Sequence, residues 1–131
     1  MPKDRTNKIS CNNFNHEIEV VLEVLGGKWK VLLLLNLYEH KTIRFNEFRK
    51  LIPNISQKML TQQLRDLEDN GLVYRTVYPQ VPPMVEYGLT EIAQSLIPIL
   101  HSMEAWGKIY LEEYNNEHNE THDKKTKTPQ L

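Results

Sequence analysis

The fold of this chain is decided by residues 56–90, which read SQKMLTQQLRDLEDNGLVYRTVYPQVPPMVEYGLT. Serine is a favoured helix N-cap, so Ser56 marks the start of a helix. Leucines at i, i+4 and i+7 give this helix one apolar stripe: Leu60, Leu64 and Leu67. Gly71 is a typical residue just beyond a helix end, and two β-rich runs, 73–78 and 85–89, follow around a proline-rich turn. The stretch is therefore predicted to form an amphipathic helix followed by a β-hairpin.

The helix carries polar side chains opposite the leucine stripe and on its flank. The candidates for DNA contact are Ser56, Gln57, Lys58, Thr61, Gln62 and Arg65. Lysine and arginine neutralise phosphates or bond guanine, and glutamine pairs with adenine. By itself this surface also fits the solvated face of an ordinary helix. The hairpin favours DNA contact, because a winged helix-turn-helix protein places such a helix in the major groove and its hairpin against the backbone.

Four further cations are candidates for phosphate contacts: Lys28, Lys30, Arg44 and Arg75. The two lysines lie at the start of a predicted helix, where free N–H groups add positive potential. Surface solubility is the alternative role for the lysines and Arg44. For Arg75 the alternative is a salt bridge to Glu86 across the hairpin.

The segments around this core are mostly helical. Apolar spacing predicts helices over residues 17–25 and 28–38, a short strand over 43–45, and a third helix capped by Asn46. Thr90 opens a long last helix that Pro98 is expected to kink or divide. The expected fold is mainly α with a small β-hairpin, a winged helix-turn-helix with flanking helices.

Two apolar stripes complete the expected core. In the second helix the stripe is Trp29, Leu32, Leu33 and Leu37. In the last helix it is Ile92, Leu96, Ile99, Met103, Trp106 and Tyr110, with Leu100 beside them. The aromatic residues are predicted to lie in the core or in a dimer contact, and a ligand pocket is the alternative. Residues 11–114 are expected to form one domain between disordered arms, 1–10 and 115–131.

The net charge of −1 conceals a basic segment and an acidic one. Residues 28–75 hold nine Lys or Arg against five acids, whereas residues 91–114 hold one Lys against four Glu. This division suits a DNA-facing core with a distal helix kept away from phosphates. No apolar run approaches the roughly 18–20 residues of a membrane span, and the N-terminus lacks an apolar signal core, so a cytoplasmic protein without a membrane partner is expected.

Enzyme signatures are missing from the sequence, which has no glycine-rich phosphate loop, HExxH or GxSxG. His118 and His122 have the i, i+4 spacing of some metal sites, but no third ligand accompanies them in the polar tail. We therefore expect no catalysis, no cofactor and no metal site.

Several motifs occur together, in order, between residues 11 and 107: Gly26-Gly27-Lys28-Trp29, Arg44-Phe45-Asn46-Glu47, Ile55-Ser56-Gln57-Lys58-Met59-Leu60-Thr61, Leu67-Glu68, Gly71-Leu72-Val73, Pro82-Pro83-Met84-Val85-Glu86-Tyr87-Gly88-Leu89-Thr90 and Trp106-Gly107. In this the chain resembles the HxlR family of bacterial transcriptional regulators, relatives of the MarR-type winged helix proteins. The resemblance implies a homodimer whose recognition helices, residues 56–70, bind a pseudo-palindromic operator. Terminal helices would form the subunit contact, here assigned to Leu100, Met103, Trp106 and Tyr110.

The resemblance also implies a switch, because several members of the family sense electrophiles or oxidants through an N-terminal cysteine. The matching residue is Cys11, and a small-molecule or electrophile effector is the implied partner. As the only cysteine, it can form a disulfide only with another subunit or a small thiol, and an inert thiol is the alternative. Two positions depart from the family pattern: Met84 stands where Lys or Arg often follows Pro-Pro, and Asn12 where Pro often follows the cysteine.

The expected function is sequence-specific DNA binding by a homodimeric transcriptional regulator, switched by a ligand or through Cys11. The alternative is a winged helix module that binds protein without DNA, which the low net charge and the uncharged hairpin tip support. Salt dependence separates the two, because phosphate contacts weaken steeply as ionic strength rises.

Overall fold

The computed structural model describes residues 16–119, and side chains as far as residue 117. Within this range the chain forms five helices and three strands. In chain order they are α1 (Glu17–Val24), α2 (Trp29–His40), β1 (Thr42–Arg44), α3 (Phe45–Leu51), α4 (Gln57–Asp69), β2 (Val73–Tyr78), β3 (Met84–Leu89) and α5 (Glu91–Asn119). The predicted mainly helical fold with a β-hairpin is confirmed.

The three strands form one antiparallel sheet in the order β1-β3-β2. The β2–β3 hairpin, called the wing here, pairs Val73 with Leu89 at its base and Tyr78 with Met84 near its tip. The ring of Tyr74 crosses Gly88 so closely that a Cβ at this glycine would lie 2.5 Å from it. A side chain at position 88 would therefore displace the Tyr74 ring.

Helix α4 begins and ends as the sequence predicts. Ser56 caps it by accepting the Met59 backbone N–H at 3.0 Å. At the other end Gly71 has a φ of +76°, and the Leu72 N–H bonds to the Leu67 carbonyl. This left-handed residue with its six-to-one hydrogen bond is a Schellman end, which glycine adopts without a Cβ penalty.

Helix α3 begins two residues earlier than predicted. Its N-cap is Arg44 and not Asn46, and the Glu47 side chain accepts the Arg44 backbone N–H at 3.1 Å. A glutamate at the third helical position reaches back to the N-cap in this way, so Glu47 sets the start of the helix.

The buried face of α2 differs from the prediction. Leu33, Leu34 and Leu37 are fully buried, whereas Leu32 is 39% exposed. The helix packs with residues 30, 33, 34 and 37 inward, at i, i+3, i+4 and i+7. A lysine therefore occupies one position of the inward face. The helix ends at His40, and its C-cap, Lys41, has a φ of +69°, an uncommon conformation for a residue with a side chain.

Helix α5 continues through Pro98 and does not divide there. Its buried residues are Ala93, Ile97 and Leu100, at i, i+4 and i+7, and not the predicted stripe. Most of that stripe is exposed in the chain: Ile92, Ile99, Met103, Trp106 and Tyr110. The helix thus has two apolar faces, and the more aromatic one faces outward.

The chain divides at the Ile97–Pro98 step into two compact units. Within the described residues, the second unit consists of the remainder of α5 alone. Residues 115–119 are helical although a disordered tail was predicted from 115, because a formed helix propagates more readily than it nucleates. The predicted arm at 1–10 and the rest of the tail lie outside the described residues.

Candidate nucleic-acid interface

The recognition helix α4 is anchored by its leucine stripe. Leu60, Leu64 and Leu67 are at most 1% exposed, so the opposite side of the helix must face solvent. All six predicted DNA-contact residues of this segment are exposed: Ser56, Gln57, Lys58, Thr61, Gln62 and Arg65. The structure therefore brings them together on one accessible polar surface, of the kind that enters a major groove.

Lys30 does not lie where a phosphate contact requires it. It is 9% exposed, and its Nζ donates to Gln63 Oε1 at 2.9 Å and lies 3.4 Å from Asp66 Oδ2. Both partners belong to α4. The ammonium therefore joins α2 to the recognition helix, and the prediction of a phosphate contact for this lysine is wrong in this arrangement. Lys28 is exposed, with its Nζ 4.7 Å from the centre of the Trp29 ring, and stays accessible.

Arg75 bonds to the recognition helix and not across the wing. Its Nε donates to Glu68 Oε1 at 3.3 Å. The predicted alternative, a salt bridge to Glu86, is wrong because Arg75 pairs with Tyr87 in the register while Glu86 lies opposite Thr76. Neighbouring positions on a strand point to opposite faces of the sheet, so Arg75 and Glu86 are on different faces.

Glu86 has partners of its own on the other face of the sheet. It accepts hydrogen bonds from the Tyr78 hydroxyl at 3.0 Å and the Thr42 hydroxyl at 3.3 Å. The first of these bonds, strengthened by the negative charge of Glu86, raises the pKa of Tyr78. Glu86 thus ties the wing to β1.

An open cleft of about 520 Å³ lies between the recognition helix and the wing. It is lined by Thr61, Arg65, Glu68, Asp69, Arg75 and Tyr87. Burial raises the pKa of Tyr87, and the positive charge of Arg75 partly opposes this rise. The hydroxyl therefore stays protonated at neutral pH and can donate a hydrogen bond. Two guanidinium groups and a phenol hydroxyl in this cleft can therefore donate hydrogen bonds to an anionic oxygen.

A second cleft of about 550 Å³ lies between the start of α3 and the tip of the wing. It shares Arg75 and Tyr87 with the first, and it adds Arg44, which is exposed, and Lys50. Lys50, Glu68 and Tyr87 were missed in the sequence, where nothing local connects them with the recognition helix. Basic side chains thus border the wing on both sides.

The tip of the wing carries no charge of its own. Residues 76–84 contain neither lysine nor arginine, Val81 is 99% exposed, and the Val81–Pro82 peptide bond is cis. The cations that accompany the wing therefore lie at its base and on the neighbouring helices.

The predicted dimer-contact residues divide into two groups. Leu100 is fully buried within the chain, so it is not available at a subunit surface. Met103, Trp106 and Tyr110 are about half exposed. Trp106 stacks on Tyr110 with ring centres 5.4 Å apart, and Tyr110 on Tyr114 at 6.1 Å. Tyr114 was missed, although it continues the four-residue spacing.

Neither a metal-binding cluster nor a membrane-spanning helix occurs in the described part of the chain. Between residues 16 and 119 no three His, Cys, Asp or Glu side chains cluster in a way that could hold a metal ion. None of the helices in that range is long and apolar enough to cross a membrane. Cys11 lies outside the described residues.

The fold and the exposed polar face of α4 define a winged helix-turn-helix regulator, and comparison with known proteins agrees. The HxlR-like helix-turn-helix family matches residues 24–115. The chain is 54% identical over 93 residues, 71% of this chain and 72% of the other, to the uncharacterized HTH-type transcriptional regulator YdeP of Bacillus subtilis (strain 168). It therefore belongs to the HxlR family of DNA-binding transcriptional regulators.

Two solved structures show the same fold. The redox regulator HypR in its reduced form has a TM-score of 0.68 and 47% identity, covering 82% of this chain and 100% of that one. The reduced form of the transcriptional regulator YodB from B. subtilis has a TM-score of 0.63 and 34% identity, covering 82% and 96%. The resemblance drawn from the motifs is confirmed.

Proposed function

We propose that this protein is a homodimer that binds a pseudo-palindromic operator through α4 and alters access to a promoter. One observation carries the proposal: the exposed polar face of α4 borders a cleft in which Arg65 and Arg75 flank the wing. A helix that fits a major groove, next to a cleft with two guanidinium groups, matches an element that reads bases beside a site for a phosphate. The protein acts by binding and not by catalysis.

Each side chain has a role in this proposal that follows from its position. Gln62 and the N-terminal residues of α4 meet base edges, while Lys58 and Arg65 meet phosphates or guanine. The DNA backbone on either side is contacted by Lys28, Arg44 and Lys50, none of which belongs to the tip of the hairpin. When DNA enters the cleft, Arg75 gives up its ion pair with Glu68 and binds a phosphate instead, because a guanidinium group binds carboxylate and phosphate oxygens alike.

The subunit contact is assigned to the exposed aromatic face of α5, formed by Met103, Trp106, Tyr110 and Tyr114. Large exposed apolar side chains on one helix face mark an interaction surface, and tryptophan and tyrosine are common anchors. A two-fold dimer would present two recognition helices, which must lie about 34–36 Å apart to enter successive major grooves. An effector that shifts the helices changes this spacing and thereby the affinity.

Salt dependence of DNA binding tests the proposal. A promoter fragment selected from the source genome is titrated with the protein at several salt concentrations. Arg65→Ala removes one phosphate contact per subunit, so in a dimer it is expected to flatten the slope of log K against log salt by about 2 and to weaken binding at least about tenfold. Lys58→Ala is expected to act in the same direction.

Lys108→Ala is the matched control, because it removes the same charge from an exposed position on α5. Its effect on the slope should be negligible. Equal effects of the two substitutions would mean that only net charge matters. If the wild type binds no fragment even at low salt, the protein-interaction module is the better description.

A redox switch at Cys11 is a second proposal, favoured by the likeness to HypR, a redox regulator, and to YodB in its reduced form. Oxidation would form an S–S bond between the Cys11 thiols of two subunits, or between Cys11 and a small thiol, and the two electrons and two S–H protons would pass to the oxidant. Diamide is expected to change operator affinity of the wild type at least about tenfold and to leave Cys11→Ser unaffected. Non-reducing electrophoresis identifies the disulfide, and an unchanged diamide response in Cys11→Ser would refute the switch.

A further inference from the structure

A buried charge joins the second helix to the recognition helix. Lys30 of α2 places its Nζ 2.9 Å from Gln63 Oε1 and 3.4 Å from Asp66 Oδ2, and the side chains of Lys30 and Asp66 are only 11% and 14% exposed. Taking an ammonium and a carboxylate out of water is costly unless each has good partners. The pair therefore holds one particular geometry of α2 against α4.

The same carboxylate reaches the DNA-facing side of α4. Its second oxygen, Oδ1, accepts a hydrogen bond from the side-chain Nε2 of Gln62 at 3.0 Å. An ionised carboxylate only accepts hydrogen bonds, so the NH₂ end of the Gln62 amide must turn toward Asp66. The Oε1 atom of Gln62 consequently points away, with one Nε2 hydrogen still available. A chain of contacts thus runs from buried Lys30 through Asp66 to an exposed amide.

We propose that Lys30 and Asp66 are positioning residues that fix the Gln62 amide for base recognition. With Oε1 outward, Gln62 accepts from an exocyclic amine and donates its remaining hydrogen to N7, which is the pattern of adenine. A reversed amide would present only donors and would favour thymine O4 or guanine O6. The inference deepens the proposed function and rests on it: Gln62 discriminates in favour of adenine because Asp66 holds its orientation.

Asp66→Asn tests this series of contacts, because it changes the shape of the side chain very little. An asparagine amide can donate or accept, so it no longer dictates which way Gln62 turns. Affinity is measured for operators in which every position of the half-site carries each of the four bases in turn. The position at which Gln62→Ala alters the base preference is the one that Gln62 reads. At that position we expect the preference of the wild type for adenine to be at least about tenfold and to fall below about threefold in Asp66→Asn.

Asp69→Asn is the matched control, since it removes the same charge from α4 by the same substitution. Both variants lower the negative charge near phosphates, so both should strengthen non-specific binding alike. Only Asp66→Asn should change the base preference. In a Gln62→Ala background, Asp66→Asn should leave the preference unchanged, because no amide remains at position 62 for Asp66 to orient. The two single variants and the double variant together form a double-mutant cycle.

Lys30→Met probes the buried end of this series of contacts, far from any base contact. It is expected to lower the adenine preference in the same direction, and if it fails to fold, Asp66→Asn still decides. The proposal is overturned if Asp66→Asn keeps the wild-type preference, if Asp69→Asn changes it equally, or if Gln62→Ala alters it nowhere. Failure of the wild type to bind any fragment would instead refute the proposed function.

Discussion

Replacing Trp106 with glutamate is expected to turn a dimer into monomers and to lower affinity for a two-half-site operator at least about 100-fold. Trp106 is 51% exposed in the chain and stacks on Tyr110 at 5.4 Å. A carboxylate at the centre of an aromatic contact would be desolvated without a partner, which a subunit interface tolerates poorly. The two recognition helices would then bind independently.

The size of the effect follows from linkage of the half-sites. When one subunit of a dimer is bound, the second half-site meets its helix at a high effective concentration, which is worth about 10²–10⁴ in affinity. A monomer loses this gain but keeps every contact of its own α4. Binding to an isolated half-site should therefore change little in Trp106→Glu, in contrast to binding of the full operator.

Asn115→Glu supplies the matched control. It adds the same charge to the same helix, at an exposed position about two and a half turns beyond Trp106 and therefore on the opposite side of the helix. Analytical ultracentrifugation should show monomers for Trp106→Glu and dimers for the wild type and Asn115→Glu. A Trp106→Glu protein that remains dimeric would remove this face of α5 from the subunit contact.

Local signals in the sequence were sufficient for the recognition helix and for the turn of the hairpin. The recognition helix could be delimited from Ser56 and Gly71, because the N-cap hydroxyl and the left-handed glycine act within one helical turn. Its outward face followed from the leucine stripe alone. The prolines placed the hairpin turn, since they cannot donate to the strand ladder.

Long-range partners could not be predicted in the same way. Lys30 was assigned to phosphate because nothing near it in sequence reveals Gln63, which is 33 positions away. For Arg75, proximity across the hairpin offered a salt bridge to Glu86 as the alternative to a phosphate contact, but a one-residue difference in register puts Glu86 on the other face of the sheet. Helix α5 has apolar residues on two faces, and periodicity does not tell which of them the chain buries.

Replacing Phe48 with alanine is expected to destabilise the protein by about 3–5 kcal/mol, the range for fully buried phenylalanines. Phe48 of α3 is 0% exposed, and its ring meets that of Tyr87 edge-on, with centres 6.0 Å apart and planes at 67°. Alanine would leave a cavity next to the tyrosine that lines both clefts beside the wing. Because a domain of this kind is stable by about 5–15 kcal/mol, a large share of the folding free energy would be lost.

Phe45→Ala is the comparison that isolates burial, because it removes the same ring from the same helix at a half-buried position. Its cost should be well below that of Phe48→Ala, since solvent already reaches part of the ring and a smaller cavity results. Urea unfolding at one fixed protein concentration gives both values, because the stability of a dimer depends on concentration. Equal midpoint shifts for the two variants would contradict the assignment of Phe48 to the core. A larger shift for Phe48→Ala, with operator binding by the folded fraction also weakened, would show that α3 supports the DNA-facing cleft through Tyr87.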